Sequence, residues 1–342
     1  MTKELIGVQY LRGIAAMLVV LHHLYFQSTQ LGPYGVKVFF VISGFVMWHT
    51  TLLADISVTA FWRRRIVRIV PLYWIFLSIL LAVALFAPQY LNSTVVTPET
   101  VIKSYFFIPY YNTSQNIIAP LLVPGWSLNY EMFFYFIFGV SLLVKPDALR
   151  AILVGAFLWS LALLGQRLHS KFPAAETYTN PNILLFFNGV MLAVIYRTYG
   201  ASSLILGVIL ISSGVLLGSF GAPGDLGFVE SFIGLSPTLI VAGILALETA
   251  LRRLPSQVLH TIGNASYSIY LSHLFFLRLS ELGWRSFMPL GSSQVLQVTY
   301  VAFTFVFAIA GGIAVHYFIE RPMLLFFLQP KISNSNQAGV AR

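Results

Sequence analysis

Apolar residues along this chain do not alternate. They run nearly unbroken for about twenty positions at a time and stop at short polar or basic clusters. Crossing about 30 Å of hydrocarbon takes roughly 20 helical residues, so runs of this length predict transmembrane helices. The pattern predicts about ten, at 6–26, 34–53, 67–87, 126–144, 150–168, 181–197, 202–220, 228–248, 263–281 and 294–319. The expected fold class is all-α, a polytopic integral membrane helical bundle. Residues 1–330 are expected to form one membrane-embedded domain, and 331–342 a disordered cytoplasmic tail.

Composition agrees with the pattern. The chain is 58% hydrophobic and only 9% charged, and its mean hydropathy is +0.81. A soluble domain exposes far more charge. The formal net charge of +9 does not redirect the argument to nucleic acid, because basic residues collect in the cytoplasmic loops of membrane proteins. With the N-terminus inside, the inner loops hold Arg63, Arg64, Arg65, Lys145, Arg150, Arg197, Arg252 and Arg253, and the tail adds Arg321, Lys331 and Arg342. The outer side receives Lys37, Lys103, Arg167, Lys171, Arg278 and Arg285. That asymmetry predicts N-in/C-in with an even number of spans. There is no cysteine, hence no disulfide framework or thiol chemistry. No separate signal peptide is expected, since the first apolar run carries Arg and His. The longest loop, 88–125, would lie outside with Tyr105, Phe106, Phe107, Tyr110 and Tyr111 in it. It reads either as a connector or as a functional surface.

Ionisable residues within such runs cost roughly 2.5–3.5 kcal/mol or more each at a helix centre, so each calls for a reason. Arg12 and His23 are eleven positions apart, which brings them within roughly 20° of one face and about 16 Å apart along the axis. His22 points elsewhere. Lipid snorkelling for Arg12 and a satisfied core imidazole for His23 are the bland explanations. In RRRIVRIVP, Arg64 and Arg68 are spaced i,i+4 and Pro71 suits a helix start or a kink. Forked guanidiniums there suit a polyphosphate, a lipid headgroup, or plain topological flanking. Glu131, in WSLNYEMFFYF, is an isolated carboxylate in an aromatic helix at a depth comparable to His23. The two could meet as a His–carboxylate pair, or Glu131 could pair with an arginine. In GNASYSIYLSHLFF, Ser266, Tyr270 and His273 share a face, for function or for helix–helix hydrogen bonds. His316, Glu320 and Arg321 read as a helix-end network, and Ser43 and Gly44 as helix packing. No Walker loop, dinucleotide fingerprint or HExxH motif occurs.

Taken together, LRGIAAMLVVLHH, RRIVRIVP, WSLNYEMFFY, SYSIYLSH and FIERP resemble the acyltransferase-3 family of membrane-embedded sugar O-acyltransferases. The opening LIGVQYLRGIAA is most similar to bacterial exopolysaccharide acetyltransferases of the succinoglycan type. Arg12 and His23 match the family's Arg-x10-His, and Arg64, Arg65, Arg68 and Pro71 its RRxxRxxP. Larger members carry an additional periplasmic hydrolase-like domain; here the membrane domain is expected to work alone or with separate partners.

The resemblance implies transfer from an acyl-CoA, acetyl-CoA foremost, to a saccharide hydroxyl at the bacterial inner membrane. No metal is expected. Arg64, Arg65 and Arg68 would bind the CoA phosphates, helped by Arg12. His23 would act as general base, or relay the acyl group covalently, with Glu131 orienting it. Tyr270 or His273 would donate to the thioester oxygen. The acceptor would be a saccharide or a lipid-linked oligosaccharide. Membrane lipids, a second copy of the chain or polysaccharide-assembly proteins are further partners compatible with it, and nucleic acid is not. A transporter or flippase of a lipid-linked sugar would also line a cavity with His, Arg and Glu. The absence of paired broken helices in two halves weighs against it.

Overall fold

The computed structural model describes residues 4–25, 29–53, 56–91, 95–168, 170–201, 203–220, 230, 232–287 and 293–328. The expected tail, 331–342, lies outside the described residues. The principal helices are α1 (Ile6–Leu24), α2 (Leu31–Leu53), α3 (Val58–Phe86), α4 (Pro98–Tyr105), α5 (Trp126–Ser141), α6 (Asp147–Leu168), α7 (Pro173–Tyr178), α8 (Leu184–Tyr199) and α9 (Leu204–Phe220). They continue as α10 (Leu235–Ala246), α11 (Glu248–Arg253), α12 (Gln257–Asn264), α13 (Ser266–Phe287), α14 (Gln294–Val315) and α15 (Arg321–Leu328), with a π-helical turn over His316–Glu320. Each expected span overlaps a described helix, residues 26, 202, 228, 229 and 231 lying outside the described residues. Among the described residues, six helices are both long and apolar enough to cross a membrane, and α9 and α10 are apolar but shorter. Side chains such as Ile205 (72% exposed) and Phe318 (81%) would be anomalous in water and suit a lipid-facing surface. The chain is a multi-pass helical membrane protein.

Some boundaries differ from the apolar pattern. The third helix begins at Val58, not near 67, because Ser57 caps it by accepting from Ala60 N. The arginine run therefore lies inside α3, and Pro71 in its interior. Two residues before that proline, the Ile69 carbonyl accepts from Tyr267 Oη at 2.7 Å, which ties α3 to α13. The 88–125 loop is structured. It holds α4 and a short antiparallel pair, β1 (Tyr111–Asn112) with β2 (Ile117–Ile118), registered Tyr111 to Ile118. That pair is the one departure from an all-α chain among the described residues. Tyr73 Oη donates to Ser104 O at 3.0 Å and Trp74 Nε1 to Tyr105 O at 2.9 Å, clamping the loop onto α3. Phe107 and Tyr110 are buried in this clamp, while Phe106 and Tyr111 are exposed.

Helix packing relies on close backbone approach. A Cβ on Gly44 of α2 would lie 1.9 Å from Phe186 O of α8, and one on Gly189 would lie 2.0 Å from Val41 O. A Cβ on Gly263 of α12 would lie 2.1 Å from Gln9 O of α1. The start of α1 is held from far along the sequence. The buried Glu248 carboxylate accepts from Ile6 N at 2.9 Å and Gly7 N at 2.8 Å, and pairs with Arg252 at 2.8 Å. A carboxylate on orphan N–H groups at a helix N-terminus is favourable twice over, by hydrogen bonding and by the helix dipole.

Candidate active site

Five helices bring polar groups to one internal space. Arg12 comes from α1 and Ser43 from α2. Arg65 and Arg68 come from α3, Ser127, Glu131 and Tyr135 from α5, and Ser266, Tyr267 and Tyr270 from α13. Together with apolar residues of α2, these five helices' side chains surround about 770 Å³, counting the open mouth. Arg12 Nη1 donates to Gln9 Oε1 at 3.3 Å, one turn away. Arg65 and Arg68 sit i,i+3 on one face of α3. Arg64 is exposed and does not line the cavity. The expected Arg64–Arg68 face is thus corrected to Arg65–Arg68, because α3 is rotated so that its tyrosine-pinned side looks inward.

The counter-charges are two. Ser43 Oγ donates to Glu131 Oε1 at 2.7 Å, and Glu131 also feels the charges of Arg68 and Arg12. Buried Glu320 on the π-turn accepts from Ser268 Oγ at 2.6 Å and binds His316 Nδ1 at 2.8 Å, with Arg68 and Arg12 within its electrostatic reach. π-Turns recur at functional sites. Against these two carboxylates stand three guanidiniums, and the buried Arg65 Nε has no hydrogen-bond partner. Such a site is short of negative charge and acceptors.

The histidines form a separate cluster. His273, fully buried, places Nε2 3.3 Å from His23 Nδ1, with ring centroids 4.9 Å apart. The expected His23–Glu131 contact does not form, since the carboxylate turns to Ser43 and the arginines. Carbonyl oxygens only accept, which fixes the tautomers. His273 Nδ1 donates to Tyr270 O at 2.6 Å and His23 Nδ1 to Val19 O at 3.0 Å. His273 Nε2 is then an acceptor, reached by the same His23 Nδ1–H, and the lone pair of neutral His23 lies on Nε2. His273 has no second N–H to give a thioester oxygen. Tyr270 is also committed, donating from Oη to Pro124 O at 2.7 Å and meeting Ser127 Oγ at 2.8 Å. Both expected donor roles are therefore at odds with this arrangement. His22 packs against Gly32 of α2.

Neither His23 nor His273 lines the cavity. Tyr270 joins the two regions, its hydroxyl beside Ser127 in the cavity wall and its ring 6.2 Å from His273 and 6.1 Å from Phe39. Sequence reasoning set Ser43 aside as packing and passed over Ser127, Tyr135 and Tyr267. The signal for two of them was present, since Ser127 and Tyr135 stand one turn either side of Glu131 on a common face.

The fold is thus a helical membrane bundle whose internal chamber is lined by three guanidiniums, with the His23–His273 pair beside it. The acyltransferase domain family matches residues 5–317, and the chain belongs to that family. It is 35% identical over 298 residues to the exopolysaccharide production protein ExoZ of Rhizobium meliloti (strain 1021), covering 86% of this chain and 90% of the relative. It is 28% identical over 332 residues to the acyltransferase MdmB of Streptomyces mycarofaciens, covering 86% and 82%. It is 26% identical over 308 residues to the O-acetyltransferase OatA of Staphylococcus aureus (strain NCTC 8325 / PS 47), spanning 79% of this chain but 50% of the relative. No solved structure matches.

Proposed function

We propose that the protein transfers an acyl group, acetyl foremost, from cytoplasmic acyl-CoA to a saccharide hydroxyl. The acceptor is an exopolysaccharide or its lipid-linked precursor, and the setting is the bacterial inner membrane with both termini inside. The observation that carries this is the excess of guanidinium lining the cavity, with the buried Arg65 Nε–H left unpaired. Such a site calls for phosphate oxygens. The names of the relatives, an exopolysaccharide production protein and an O-acetyltransferase, supply the acceptor class and the reaction.

In this reading Arg12, Arg65 and Arg68 hold the CoA phosphates, and the thioester extends past Phe39 and Tyr270 toward His23. His23 Nε2 removes the proton as the sugar oxygen attacks the thioester carbon. The tetrahedral oxyanion collapses, the C–S bond breaks, and the departing thiolate takes the proton back from His23. The products are the sugar ester and free CoA. A positioned base contributes about 10²–10⁴-fold. His273, holding His23 Nδ1–H, fixes the tautomer that this role needs. Residues 1–330 would work as one catalytic domain.

The test uses purified protein in detergent with acetyl-labelled acetyl-CoA and the host's polysaccharide or its lipid-linked precursor. Label in an ester on the saccharide is expected. Substrate accumulating in reconstituted vesicles without covalent label would instead indicate transport.

A further inference from the structure

Two polar atoms of the cavity wall are buried without a partner, Arg65 Nε and Ser266 Oγ. An unpaired buried donor costs about 1–3 kcal/mol, and native interiors hold few of them. Arg65 belongs to the basic cluster. Ser266 does not. It opens α13, is fully buried, and faces a chamber whose charges come from other helices.

Its depth is the informative quantity. Helices α1 and α12–α13 run side by side in the same direction, since Gly263 meets Gln9 and His273 meets His23. Ser266 stands seven residues before His273, about 10 Å along the axis. Arg12 stands eleven residues before His23, about 16 Å. The free hydroxyl therefore lies between the level of the guanidinium and that of the imidazoles. In an acyl-CoA, what separates the diphosphate from the thioester is the pantetheine arm, a narrow chain whose polar groups at that distance are amides. A hydroxyl can donate to an amide carbonyl or accept from an amide N–H.

We propose that Ser266 is a donor-specificity residue that hydrogen-bonds an amide of the pantetheine arm, so that the cavity reads the linker as well as the phosphates. This rests on the donor assigned above. The probes are CoA and 3′,5′-ADP, which keeps the phosphates at one end and lacks the arm. Dissociation constants are measured by competition with labelled acetyl-CoA on the purified protein in detergent. Ser266→Ala should weaken CoA about three- to tenfold and leave 3′,5′-ADP unchanged, whereas Arg68→Ala should weaken both. Equal effects of Ser266→Ala on the two probes, or none on CoA, overturn the assignment. Should Ser266→Ala fail to fold, Ser266→Cys carries the test; its weaker donor should cost CoA about threefold, and an unchanged constant overturns it. Wild-type protein that binds neither probe overturns the donor itself, a result distinguishable from failure at Ser266 alone.

Discussion

His23 carries the sharpest residue-level expectation. Replacing it with Ala should lower kcat at least about 100-fold while protein yield and melting temperature hold; near-normal turnover would remove the imidazole from the chemistry. Arg68→Ala should raise the acetyl-CoA KM about tenfold through loss of a charge-assisted contact. Unchanged kinetics would reduce the cluster to a topology signal. Glu131 makes a different prediction from the one its depth suggested. Turned toward Ser43 and the guanidiniums, it competes with an incoming phosphate, so Glu131→Gln should tighten 3′,5′-ADP binding at least about twofold. Weaker binding would mean that the carboxylate holds the arginines in place. The contrast shows what residue spacing can tell. Periodicity alone puts Arg12 and His23 on one face of a helix, and intramembrane cost singles out the ionisable groups. It could not choose the partner across the interface. Whether Glu131 meets His23 or Ser43, and whether Arg64 or Arg65 looks inward, depends on the rotation of each helix about its own axis.

Those rotations are set at the scale of elements, largely where side chains are missing. Gly44 and Gly189 let α2 and α8 touch backbone to backbone, and this contact orients the neighbouring Ser43, about 100° around α2, toward α5. Gly44→Leu should push the helices apart, lowering the detergent melting temperature and abolishing activity, even though residue 44 touches no substrate. Retention of both would mean that the pair is dispensable. In the sequence Gly44 reads as a packing residue, but Gly189 looks like any other, because a close approach needs two helices and a single run shows one. The Glu248 cap is equally hidden, since its partners lie 242 and 241 positions away. Glu248→Ala should destabilise the fold by about 2–3 kcal/mol, read as a lower melting temperature. Helix identity itself was legible, because apolar length survives any packing. The boundary of α3 was not, because charge ends a hydropathy run without ending a helix.

For the whole molecule, orientation is the property most open to a direct experiment. The chain contains no cysteine, so single cysteines can be introduced against a silent background. Phe106 is 66% exposed in the clamped loop and Tyr199 is 74% exposed at the end of α8. In intact cells an impermeant maleimide should label Phe106→Cys and spare Tyr199→Cys until the membrane is opened; the reverse pattern would invert the proposed topology. The aromatic loop, which reads from sequence as a connector or a functional surface, buries Phe107 against Tyr73 of α3 and Tyr110 against Ser104. Any stacking surface there falls to Phe106 and Tyr111. The tie between Glu248 and the first helix also has a consequence for biosynthesis. Ribosomes add about 5–20 residues each second, so α1, with Arg12 and His23 aboard, emerges some 12–50 s before the carboxylate that anchors its first turn. Throughout that interval the first turn of the leading helix must wait without its carboxylate, although α2 already packs along it, and nascent chains arrested before residue 248, which also lack the α13 wall, should be unable to retain nucleotide.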